Sequence, residues 1–214
     1  MKSDSSLYIP EHHRITDLKV IGDFMREFAF AELITSSPQI RVTHIPVSYE
    51  ANSGKYGKLI GHVAKANPQC ELFDGQHDGL VVFHGPHAYV SPSWYEAGRP
   101  AVPTWNFAVI HAGGKLRRVD DDSVSKTVLE QLVRQFEPGE DPAWRLDQLT
   151  QEYQKKLRQA IVVFEMEIET LEAKFKLGLE RSSVDQKGML EGLKQSQPER
   201  SLLEFTLAEI NRRA

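Results

Sequence analysis

Three short stretches concentrate the side chains able to do chemistry. Residues 41–47 read RVTHIPV, residues 61–69 read GHVAKANPQ, and residues 102–111 read VPTWNFAVIH. They place cations, hydroxyls, amides and aromatic rings at the ends of segments with strand character. A phosphate carries close to two negative charges and is held by lysine or arginine, hydroxyls and backbone N–H groups. Lys65, set between Ala64 and Ala66 and followed by Asn67, fits that role at a strand-to-loop exit. Arg41 and Thr43 share one parity on a neighbouring strand, so both can face one side. A flat ring system is held by apolar or aromatic walls with a few amide or imidazole partners. Trp105, Asn106, Trp94 and His62 supply those types. A plainer reading stands beside this one: the tryptophans plug a core, Lys65 is a surface charge, and Asn67-Pro68 is a turn. Spacing alone leaves both open.

Other chemistries find less support. The eight histidines include His12-His13, His44, His62, His84, His87 and His111. His84 and His87 have metal-ligand spacing, but Gly85-Pro86 forbids a helix between them, and residues three apart on a strand point to opposite faces. HExxH is absent, and no metal site is expected. Cys70 is the only cysteine, so an intrachain disulfide and a Cys-rich zinc site are excluded; within NPQCELF it reads as a small buried thiol. There is no GxSxG, GxGxxG or GxxxxGK[ST], which argues against hydrolase-elbow, Rossmann and P-loop chemistry. No side chain is assigned as catalytic.

Charge narrows the partners. The net charge of −4 gives no domain-wide footprint for nucleic acid. The run Lys155-Lys156-Leu157-Arg158 reads as the wet side of a helix. No stretch approaches 18 uninterrupted apolar residues, and the N-terminus lacks the apolar core of a signal peptide, so a soluble, cytoplasmic protein without membrane association is expected.

The elements that must position these groups are legible in outline. Thr16 or Asp17 can cap a helix with apolar residues at Leu18, Ile21, Phe24, Met25 and Phe28. Strands are predicted over residues 30–35, 40–49, 58–64, 79–83 and 105–116, with residues 84–107 read as a proline-stiffened flap carrying four prolines. Ser123 is the predicted cap of a helix ending at Phe136, a second helix runs from 147 to 160, and residues 161–169 alternate Phe164, Met166 and Ile168 with glutamates as in a half-wet strand. Two polar helices, 183–193 and 198–212, follow, the latter with a stripe of Leu202, Leu203, Leu207 and Ile210. The expected class is α+β, mainly β: an antiparallel barrel with helical additions.

The strings YIPEHHRITD, THIPV, GHVAKANPQ, VVFHGPHAYVSPSWY and VPTWNF-x-x-x-H resemble the PaiB family, the FMN-binding negative transcriptional regulators. The resemblance covers residues 8–177. It implies an FMN-binding split β-barrel, placed at residues 1–180 with flanking helices, and a homodimer with the cofactor at the subunit interface; the tail over 181–214 carries none of these strings and is read as helical from its own pattern. The resemblance implies an FMN phosphate near the strand pair 41–47 and 58–67, and together with the residue types noted above the expected site takes in Arg41, Thr43, His62, Lys65, Asn67, Trp105 and Asn106. The matching phosphate loop reads Ala64-Lys65-Ala66-Asn67, with one cation and no arginine or serine. Residues 84–107 become the wall and lid of a ligand slot. Negative regulation of transcription follows from the family alone, and DNA is a partner by that resemblance only. An FMN-dependent oxidoreductase using NAD(P)H is the first alternative, and a haem-binding split barrel the second.

Overall fold

A computed structural model describes residues 5–96, 100–137, 139, 144–196 and 201–213. In chain order the elements are β1 (Arg14–Ile15), α1 (Leu18–Glu27), β2 (Phe30–Thr35), β3 (Arg41–Glu50), β4 (Lys58–Ala64), β5 (Asp74–Val90), β6 (Thr104–Val119), α2 (Asp122–Phe136), α3 (Gln151–Gln159), β7 (Ile161–Glu167), β8 (Thr170–Lys176), α4 (Ser183–Ser196) and α5 (Ser201–Arg213). They group into two units, one of residues 18–83 and 111–171, the other of residues 1–17, 84–110 and 172–214.

The first unit holds a closed six-stranded antiparallel barrel. Strand neighbours run β6-β5-β2-β3-β4-β7, and β7 returns to pair with β6. Register sets the inside. Leu33 faces Thr43, Val47 faces Gly61, and Gly61 faces Phe164. Leu33, Leu59, Val81, Leu116, Phe164 and Met166 have no exposed surface. Each contributes about 1.5–3 kcal/mol on burial. Phe164 packs on Phe73 at 4.9 Å between ring centroids, and a Cβ at position 61 would lie 3.0 Å from the Phe164 ring. A side chain there would require the ring to shift by a few tenths of an ångström.

Helices cover part of the outside. α1 buries Ile21, Phe24 and Met25, as its spacing predicts. α2 lays Val128 and Leu132 on Ile60 and Val163 of β4 and β7. The cap of α2 is Asp121 rather than the predicted Ser123: its carboxylate accepts from the backbone N–H groups of Ser123 and Val124. α3 starts at Gln151, capped by Thr150, later than predicted, because Leu146–Gln148 forms a separate 3-10 turn.

The second unit contains β1 paired antiparallel to β8, a strand the alternation argument did not isolate. Residues 84–90, read as part of a loop, continue β5: Pro86, Ala88 and Val90 are buried at every second position. Proline fixes φ within the extended range, so Pro86 does not interrupt the strand. Residues 97–99 of the predicted flap lie outside the described residues. Trp94 is wedged against α4, where a Cβ at Gly192 would lie 2.2 Å from its ring. α5 buries Leu202, Thr206 and Glu209, whereas Leu207 of the predicted stripe is 43% exposed. Glu209 tolerates burial because Arg212 and Arg213 both donate to it. The predicted start of this helix at Pro198 lies outside the described residues.

Candidate functional site

On the outer face of the barrel, β4 and β7 run side by side with His62 opposite Val163. Alternation turns Leu59, Gly61 and Val63 inward and sends His62 outward, where it is half-buried. The His62 ring borders a cleft of about 270 Å³ whose walls include Leu129, Val133, Leu157 and Ile161. Its Nδ1 atom is buried and has no hydrogen-bond partner among the described residues. Burial in this apolar setting pushes the imidazole pKa below its ordinary value of 6.5, so the ring is neutral near pH 7. A neutral imidazole offers one donor and one acceptor.

A second cleft, of about 170 Å³, is polar and is lined by Lys65, Arg118, Asp120, Asp122, Ser125 and Arg158 among others. Arg158 and Ile161 border both clefts. Arg158 is held by two hydrogen bonds to Asp122, 3.0 and 3.1 Å long, and Arg118 pairs with Asp120 at 2.7 Å. Asp122 is held below the usual carboxylate range, first by the hydrogen bond from Arg158. Lys65 is exposed, and its ammonium makes no hydrogen bond or ion pair among the described residues. Its backbone is fixed, because its N–H donates to the Ala160 carbonyl at 2.8 Å.

The other predicted residues take different places. Thr43 turns inward opposite Leu33, where its hydroxyl donates to Gln69 at 2.5 Å and accepts from the Asn67 amide at 2.9 Å. Asn67 also accepts from the Gln69 N–H. Gln69, fully buried, donates to Leu33 O, Thr35 Oγ1 and Arg41 O. Thr43 and Asn67 are thus brought together to hold a turn, with their polar atoms engaged internally. The Arg41 side chain is half-buried. Trp105 and Asn106 belong to the other unit. There Trp105 is 55% exposed, with the His87 and Tyr89 rings 6.1 and 6.2 Å away, while Asn106 is 1% exposed and donates to the Met189 sulfur. Sequence reasoning missed Arg118 and Arg158. They lie far apart in the chain, and Arg158 sits in a run whose charge density looks uniformly wet. Its side chain is only 13% exposed, with its guanidinium paired to the more exposed Asp122.

These residues fit a flavin mononucleotide. An apolar chamber with an unpartnered buried imidazole nitrogen suits a planar heterocycle edged with polar atoms. The neighbouring cleft offers a phosphate one uncommitted lysine, beside two arginines already paired with Asp120 and Asp122.

Comparisons point the same way. Residues 7–170 match the family model described as "Putative FMN-binding domain". The chain is 31% identical to protease synthase and sporulation protein PAI 2 of Bacillus subtilis over 87% of this chain and 89% of that one. Among solved structures it resembles the flavocytochrome Anf3 of Azotobacter vinelandii, with a TM-score of 0.60, 14% identity, and coverage of 78% of this chain and 72% of that one. It also resembles the FAD and heme binding protein of Mycobacterium smegmatis, with a TM-score of 0.58, 15% identity, and coverage of 82% and 78%. At such identities the structural likeness speaks for the split-barrel fold. The sequence match extends from β1 through β7, and with it the chain belongs to the PaiB family of FMN-binding split-barrel proteins.

Proposed function

We propose that the paired clefts beside β4 and β7 hold FMN, with the phosphate at Lys65 and the ring system against His62, Leu129, Val133 and Leu157. One observation carries this reading. Lys65 is an uncommitted cation at a polar cleft that shares Arg158 and Ile161 with a second cleft, which has apolar walls and a buried imidazole nitrogen lacking a partner. Arg118 and Arg158 already have carboxylate partners, so an incoming phosphate competes with Asp120 and Asp122 for them. Bound FMN supplies hydride or single-electron transfer. The chain's own part is to bind the phosphate, exclude water from the ring and offer a neutral imidazole. Residues 1–180 serve as the cofactor-binding domain, with 181–214 as a helical tail.

The role we assign is that of a flavin-dependent regulator, following the relative named for protease synthesis and sporulation. Regulation through redox state or a bound metabolite fits the acidic chain better than direct contact with DNA. We also infer a homodimer. The outer side of β2 and β3 leaves Phe30 65% and Val42 50% exposed, with Ile40 beside them at 76%. Apolar strand surface of that kind is what a second copy covers. A protein of this description works in the cytoplasm, and among the described residues no helix is long and apolar enough to cross a membrane.

Titration of the purified, cofactor-free chain with FMN tests the proposal. Saturable quenching of flavin fluorescence at one equivalent per chain supports it; a flat titration removes it. Haem is the rival ligand, because both structural relatives carry flavin and haem terms in their names. A Soret band forming in place of flavin quenching would favour it. Steady oxidation of NADH or NADPH by the FMN-loaded protein would make the chain an oxidoreductase rather than a passive sensor.

A further inference from the structure

We propose that His12, His13 and Glu180 form a site for one divalent first-row transition metal ion. All three belong to the second unit, and nothing in the FMN reading uses them. Their ligand atoms, one from each side chain, lie within 4.8 Å of one another.

Consecutive histidines seldom converge. On a strand they would point to opposite faces. Here they sit in a single 3-10 turn, Glu11–His13, closed by the His13 N–H donating to the Pro10 carbonyl at 2.9 Å. A turn with three residues per revolution separates neighbouring side chains by about 120°. The two rings therefore meet edge to face, with centroids 4.1 Å apart. His13 is buried at 5% exposure and acts as the anchor, while His12 and Glu180 stand at the open side.

Glu180 arrives from the turn after β8. Gly178, at φ +75°, takes the left-handed conformation that turn requires. Gln186 of α4 donates to the Leu179 carbonyl at 3.0 Å and to the Arg181 carbonyl at 2.9 Å. The peptide before Glu180 is thereby pinned, the one after it is held by the Arg181 N–H donating to the Gly178 carbonyl at 3.3 Å, and the Glu180 carboxylate lies 4.0 Å from His13 Nδ1. The neighbouring Arg181 is stacked on the Tyr95 ring, 4.0 Å from its centroid. Lys174 donates to the Tyr8 carbonyl and Lys176 to the Thr104 hydroxyl. The nearby cations are therefore tied to other partners.

With metal–ligand bonds of about 2.1 Å, two ligands of a tetrahedral ion stand roughly 3.4 Å apart. The widest separation must contract by up to about 1.4 Å, within reach of the exposed His12 and Glu180 side chains. Two imidazoles and one carboxylate, with the remaining position open to water, suit zinc, cobalt or iron in the divalent state. Such an ion would cross-link the start of the chain to the turn after β8.

The test uses the untagged, full-length, metal-stripped chain and Co²⁺ as the probe, followed by Zn²⁺ displacement. One equivalent of Co²⁺ should bind with visible ligand-field absorption, and Zn²⁺ should abolish the band. His12→Ala and Glu180→Gln should each weaken binding at least tenfold, while His44→Ala, which removes the His44–Glu32 pair elsewhere in the fold, should leave it unchanged. Absence of the band, or a band that survives in the His12→Ala/Glu180→Gln double variant, overturns the proposal. Should a variant melt early, the wild-type protein decides by NMR. Co²⁺ must then shift the ring resonances of His12 and His13, and shifts confined to other histidines overturn the site.

Discussion

Replacing Lys65 by alanine separates a phosphate-binding lysine from an ordinary surface charge. Its ammonium has no partner within the described residues, so the substitution removes no native contact, and stability should stay within about 0.5 kcal/mol. A hydrogen bond to a charged group contributes about 1.5–3 kcal/mol. Because Lys65 is exposed, solvent screening favours the lower half of that range. At about 1.4 kcal/mol per tenfold change, FMN affinity should fall roughly 10- to 30-fold. Riboflavin has the same ring and no phosphate, so its affinity should not change, and the preference for FMN over riboflavin should shrink by the same factor. The assay is fluorescence quenching by both ligands at two salt concentrations, with a melting curve for each protein. Asp122→Asn supplies the opposite arm, because it releases Arg158 from a competing carboxylate and should tighten FMN without affecting riboflavin. An FMN affinity unchanged within twofold in a normally melting Lys65→Ala protein would refute the assignment of the phosphate end.

Gln69→Leu should lower stability by about 2–4 kcal/mol in urea unfolding, since it strands Thr43 and removes the donor shared by Leu33 O, Thr35 and Arg41 O. His62 gives a pH dependence whose sign follows from its depressed pKa. Between about pH 6.5 and the lower folded-state value the unfolded chain takes up the proton first, so stability falls as pH falls. His62→Gln should flatten that part of the stability profile, and an equally steep profile would remove His62 as its source. Gly192→Ala forces a methyl to within 2.2 Å of the Trp94 ring and should cost about 1–3 kcal/mol by thermal melting, with α4 affected first.

Periodicity made much of the barrel legible. The boundaries of β2 and β4 follow directly from apolar alternation and turn residues, and α1 from its 3.6-residue stripe. Failures occurred where a neighbour outweighed a local signal. Gly85-Pro86 reads as a break, yet β5 stays extended through it, with Pro86, Ala88 and Val90 buried at alternate positions. Leu207 is the more apolar residue in α5, yet Glu209 takes the buried position because two arginines accompany it. At the candidate site, the parity of Arg41 and Thr43 was readable but not which side of the sheet it meant. That side is the interior at Thr43, where Gln69 waits to accept its hydroxyl.

By itself, the sequence determined the family, the mainly antiparallel class and the cofactor type, because these rest on residue order, two-residue alternation and ordered strings that any chain comparison preserves. Tertiary structure alone decided which polar groups remain available. Hydrogen bonds between residues two dozen or more positions apart commit Thr43, Asn67 and Arg158 to partners within the fold, and leave Lys65 and the His62 nitrogen uncommitted. Whether a donor is free depends on what the folded chain places within about 3 Å of it, and that is a property of three-dimensional contact rather than of sequence order.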